Sequence, residues 1–159
     1  MDALAGKPGD AGCWLPHNAV MFTPLVLGSQ AYPLLEVVHI AGIALLVGNL
    51  VLLELRVFGA GAALPVRSLA RLSLSLAAGG FALAAASGLL MFATQPQELL
   101  ANRAFTLKML LLFMAGCNAA WFHGRGSLDR LDGVARAQMI ASTLIWLAAI
   151  ACGRWIAYV

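Results

Sequence analysis

Four apolar stretches, each about the length needed to cross a bilayer, leave this chain few ways to fold. They run at about 33–58, 68–93, 104–122 and 136–158, and the connections between them are short. A helix needs roughly 20 residues to cross a hydrocarbon core of about 30 Å. In lipid every backbone polar group must be satisfied within the segment, so each stretch is read as a helix. Of the 159 residues, 62% are hydrophobic and only 11% are charged. Soluble domains run nearer 45–50% and 25%. The expected fold is therefore all-α, a four-transmembrane-helix antiparallel bundle over 31–159. Residues 1–30 are expected to form an N-terminal interfacial or extramembrane segment. Within it Leu15 to Leu27, broken by Pro16 and Pro24, is too short to span and reads as an interfacial piece.

The net charge of +3 does not point to nucleic acid, because the basic residues are gathered at the ends of apolar runs. Arg56, Arg67, Arg71, Arg125, Arg130 and Arg136 lie on one side, against Lys7, Arg103, Lys108 and Arg154 on the other. The positive-inside rule then places the two arginine loops in the cytoplasm of a bacterium and both termini in the periplasm. No Walker loop, dinucleotide-binding glycine loop, Ser-His-Asp arrangement or CxxC is present. Cys117 and Cys152 read as small apolar residues within spans.

Antiparallel counting brings Glu36, His39, Met91, Thr94, Lys108 and Arg154 to one membrane level, the outer one. A charge inside a span costs on the order of 3 kcal/mol or more, so such a level marks a candidate site. His123 ends the third span at the opposite level, roughly 20 Å or more from His39 along the axis. The two histidines are therefore not expected to share one iron. Glu54 lies five helical turns beyond Glu36, on the same face of the first span. Gly80, Ala84 and Gly88 form a strip of small residues on the second span. Such strips admit close helix packing, or leave room for a flat cofactor.

A histidine for a metal, with lysine and arginine for anionic groups, is the equipment of a haem or porphyrin pocket. His39 is the candidate metal ligand, with Glu36, Met91, Lys108 and Arg154 around it. Two other readings stand beside this one. His39 and Met91, with Cys13 or His17, could handle copper, since soft ligands suit Cu(I). Alternatively the charges pair structurally, Glu36 with Lys108 or Arg154, in a non-enzymatic subunit or assembly factor of a larger complex. Lys108 and Arg154 also have the length to snorkel to the headgroups.

The stretches Tyr32-Pro33-Leu34-Leu35-Glu36-Val37-Val38-His39-Ile40-Ala41-Gly42, Leu53-Glu54-Leu55-Arg56 and Asn102-Arg103-Ala104-Phe105-Thr106-Leu107-Lys108-Met109 resemble a family of small bacterial four-helix membrane proteins. Its shared domain has no assigned function. More distantly, the chain is similar to the copper-resistance D family and to HemJ-type protoporphyrinogen oxidases. They share a histidine on the first helix and a lysine early in the third. The resemblance implies that His39 and Lys108 belong to a pocket, with Arg154 a weaker match, and that haem b is the group to expect. The implied partners are the bilayer of the inner membrane and other membrane or periplasmic redox proteins.

Overall fold

A computed structural model describes residues 31–158. The expected interfacial segment at Leu15–Leu27, with Cys13 and His17, lies outside the described residues. Four long helices carry the fold: α1 (Ala31–Val57), α2 (Val66–Thr94), α4 (Arg103–Gly124) and α6 (Gly133–Trp155). All four are long and apolar enough to cross a membrane. Large apolar side chains such as Leu34, Val37, Leu89, Phe113 and Leu144 face outward from them. Water would penalise that surface and lipid would not, so the chain is a multi-pass membrane protein. Two of the connections hold short helices that hydropathy alone does not reveal, α3 (Pro96–Ala101) and α5 (Ser127–Arg130).

Local chemistry sets the helix ends. At the end of α1 the amide of Gly59 donates to the carbonyl of Arg56 (3.1 Å), and that of Ala60 to Leu55 (2.9 Å). Gly59 has φ +107°, the left-handed conformation that closes a Schellman motif. Arg56 then donates to the carbonyl oxygens of Leu64 (2.7 Å) and Ala62 (3.1 Å), folding the first loop back on its helix. Pro96 occupies the first turn of α3, where its missing N–H costs nothing. Asn102 caps α4, its side-chain oxygen accepting from the amide of Ala104 (2.8 Å). Its nitrogen donates to the carbonyl of Ile156 (3.3 Å), tying the start of α4 to the end of α6.

Packing divides the bundle into two hairpins. α1 lies along α2, α4 lies along α6, and α1 touches α6. In the α1–α2 seam the backbones nearly touch. A Cβ on Gly42 would lie 2.7 Å from the amide nitrogen of Ala84 and 2.8 Å from the carbonyl oxygen of Gly80. A Cβ on Gly80 would lie 2.7 Å from the Gly42 carbonyl oxygen. The small-residue strip of α2 is thus filled by α1, and the flat-cofactor alternative for that strip is not the arrangement adopted. Towards the arginine loops, Leu53 and Val57 of α1 meet Ala70 of α2, Phe122 of α4, and Ala135 and Met139 of α6. This cluster joins all four long helices.

Asp132 caps α6, accepting from the amide of Ala135 (2.9 Å), and also accepts from the guanidinium of Arg125 (3.1 Å to Nη1). The bond from Arg125, then the Ala135 amide, hold its carboxyl down at about 2, against an ordinary value of 3.8. The same bond pushes the Arg125 guanidinium up.

Two outcomes follow from this packing and capping. Gly42→Ala and Gly80→Ala should each lower the thermal midpoint in detergent, by the equivalent of about 1–3 kcal/mol for overpacking. Gly79→Ala should hold or raise it, since a Cβ there meets nothing within 4 Å. Asp132 contributes stability above its unfolded value of 3.8, which is lost as pH falls towards about 2. Wild-type protein should therefore lose stability across that interval, and Asp132→Asn should flatten this acid limb in a pH series of melting curves.

Candidate functional site

The level named from sequence lies at the end of the bundle away from the arginine loops. His39 is in the third turn of α1, and its imidazole is half-buried against α2. Nδ1 lies 2.8 Å from the carbonyl oxygen of Ala84 and 3.1 Å from Oγ of Ser87. A carbonyl oxygen can only accept, so the proton is on Nδ1 and donates to Ala84. The Ser87 hydroxyl spends its own proton on the Leu83 carbonyl (2.8 Å), which leaves its oxygen lone pairs towards the ring. In the neutral imidazole Nε2 then carries the lone pair. Gly88 makes the fit possible, because a Cβ there would stand 3.1 Å from Cε1 of His39. Ligating histidines use the same arrangement, with one nitrogen anchored to a carbonyl and the other presented.

Lys108, in the second turn of α4, lies half-buried against α6. A Cβ on Gly153 would be 3.3 Å from its Nζ, so this glycine provides the seat for the ammonium. His39 faces α2 within the first hairpin, and Lys108 faces α6 within the second, both towards the end of the bundle away from the arginine loops.

The other candidates are placed less centrally. Met91 is half-buried near the end of α2, and the Thr94 hydroxyl donates to the Met91 carbonyl (2.7 Å), a bond within its own turn. Arg154 is exposed, donates to the Tyr158 hydroxyl (2.6 Å) and lies 4.9 Å from the centre of that ring. Glu36 is exposed on the first turns of α1. Among the described residues no ion pair joins Glu36 to Lys108 or Arg154; the two ion pairs there are Arg67–Asp129 and Arg125–Asp132, both near the arginine loops. Nor do three or more His, Cys, Asp or Glu gather as metal ligands among the described residues.

A second polar cluster lies nearer the arginine loops. Thr143 of α6 donates its hydroxyl to Oε2 of Glu54 (2.6 Å). Asn118 donates to the backbone carbonyl of Gln138 (2.9 Å), and Ser127 donates to the side-chain oxygen of Gln138 (2.9 Å). Glu54, Asn118, His123, Gln138, Ser142 and Thr143 all border one cavity of about 70 Å³. The five-turn spacing from Glu36 identifies the face on which Glu54 lies. Its partner on α6 depends on how that helix is rotated, which hydropathy does not encode.

No family model, curated protein or solved structure matches the chain. The site is therefore read from its own chemistry. Solid-state NMR of histidine-labelled protein in lipid should show His39 as the Nδ1–H tautomer with a slowly exchanging proton. The Ser87→Ala variant should keep that tautomer, because the Ala84 carbonyl remains. An Nε2–H signal at His39 would contradict the geometry.

Proposed function

We propose that the protein binds haem b, or a related porphyrin, in a redox role, with Nε2 of His39 as an axial ligand. The observation that carries this reading is the Nδ1–H bond from His39 to the Ala84 carbonyl inside a membrane span (2.8 Å). It fixes the ring and its tautomer and directs the lone pair to the other nitrogen. A porphyrin brings four nitrogens of its own, so a single protein histidine suffices. Copper would need further ligands, drawn from Met91 or from Cys13 and His17. Bound haem would supply reversible one-electron chemistry, while the chain supplies orientation and charge.

Lys108 supports the reading as a half-buried cation at the same end of the bundle, and would face a propionate. Arg154 is at the same end and would contribute after leaving Tyr158. Met91 offers polarizable apolar surface beside the site. The distribution of arginines supports an inner-membrane location with this site towards the periplasm, where a membrane or periplasmic redox protein would exchange electrons with it.

Haemin titration of detergent-purified protein, followed at the Soret band, tests the proposal. Wild-type protein should give a saturating band that His39→Ala abolishes. Lys108→Met should weaken binding about tenfold, the loss of one charge-assisted contact. No Soret band, or one unchanged in His39→Ala, would sink the reading. Stoichiometric copper in the colourless protein would replace it with copper handling.

A further inference from the structure

The arginine-loop end of the bundle carries positive charge that its own carboxylates leave uncompensated. Arg56, Arg67, Arg71, Arg125, Arg130 and Arg136 stand there against Asp129 and Asp132. Arg56 is spent on loop carbonyls, and Arg125 is tied to Asp132. Arg67, Arg71 and Arg130 are all exposed. Arg67 pairs with Asp129 (3.0 Å), but the two side chains are 82% and 63% exposed. An exposed pair of this kind holds weakly and exchanges for a stronger partner. Arg71 and Arg130 have no ion-pair partner among the described residues.

The fold gathers these three guanidinium groups on one patch. The Arg67–Asp129 pair sets the start of α2 against α5, and Arg130 follows Asp129 directly. Arg71 is four residues beyond Arg67, one turn along the same face of α2. Both supports are fixed from beneath: Ala70 and Ser127 are fully buried, and Leu128 and Leu131 pack on the apolar cluster. Beyond Arg71 the same row of α2 continues as Ser75, Ala78 and Ala82, all exposed. The Ser75 hydroxyl is spent on the Leu72 carbonyl (2.8 Å). Leu72 and Phe81 face outward beside this row, 59% and 48% exposed. Surface of that kind belongs in hydrocarbon, so the arginines above it stand at the headgroup level. A soluble anion would meet the arginines and leave the apolar row unused. A lipid with an anionic head and acyl chains meets both.

We infer that this patch is a binding site for an anionic phospholipid, with a preference for one carrying two phosphates, such as diphosphatidylglycerol. One phosphate lies between Arg67 and Arg71 and the other against Arg130, each accepting guanidinium N–H groups in pairs. An acyl chain follows the Ala78–Ala82 row. Asp129 is the competitor that the first phosphate displaces from Arg67. The cytoplasmic leaflet is the anionic one, which suits the orientation proposed above. The inference stands independently of whether His39, at the other end of the bundle, binds haem.

Native mass spectrometry of the full chain in a neutral detergent, with one lipid added at a time, tests it. Diphosphatidylglycerol should bind several-fold more tightly than phosphatidylglycerol, and phosphatidylcholine more weakly than either. The double variant Arg67→Gln/Arg71→Gln should weaken diphosphatidylglycerol binding several-fold, and Arg130→Gln should narrow the gap between the two anionic lipids. Asp129→Asn should tighten binding, because Arg67 is released from its competitor. Arg103→Gln, exposed at the other end of the bundle, should change nothing. A melting curve recorded without lipid checks that the double variant is folded; should it fail to fold, the Asp129→Asn arm still decides. Equal binding of phosphatidylcholine, affinity unchanged in the folded double variant, or affinity lowered in Asp129→Asn would overturn the assignment. So would displacement of the lipid by an equal concentration of inorganic phosphate, which would mark a site for a free anion.

Discussion

The contact between Gly42 and Gly80 sets the distance between α1 and α2, and much else follows from that distance. Without side chains in the way the backbones approach to a separation that no Cβ would permit. At that separation an imidazole on α1 reaches a backbone carbonyl of α2, one turn further along at Ala84. In lipid, where apolar surface gives little drive for helices to associate, close van der Waals packing and such interhelical bonds are the available adhesives. One seam therefore holds the first hairpin together and also aims the histidine.

The two hairpins contribute different chemistry. The first brings the histidine with its carbonyl anchor, and the carboxylate of Glu54. The second brings the lysine in its glycine seat, and the amides and hydroxyls around the cavity. The polar cluster of Glu54 and Thr143 is assembled only when the hairpins meet. The apolar cluster of Leu53, Val57, Ala70, Phe122, Ala135 and Met139 supplies that meeting near the arginine loops. At the other end the stacked rings of Phe92 and Phe105, 5.5 Å apart, join α2 to α4.

Much of the fold was legible in the sequence, because span length and hydropathy are properties of single segments. The four helices lie within a few residues of the stretches read from hydropathy, and their antiparallel order follows from short connections. The levels were legible for the same reason: counting along a helix gives depth without knowledge of its neighbours. Rotation and pairing were not. Arg154 and Tyr158 are four residues apart and bond along their own helix surface, a competitor to any pocket role that depth alone does not expose. The Thr143 partner of Glu54 depends on how two helices turn towards each other. The short helices α3 and α5 escape a reading based on apolar runs because they contain none long enough to register.

Asn102 joins two of these matters. Its amide caps α4 with one atom and holds the carbonyl of Ile156, just past the end of α6, with another. That link sits six residues before Lys108 and three after Gly153, so it indexes one helix against the other where the ammonium rests. A slide of α6 by a single residue would turn Gly153 by about 100° and bring a neighbouring side chain against the lysine. The loop amide thus works as a detent: it selects one rotational setting of α6, and with it the side of the bundle on which a half-buried positive charge is kept.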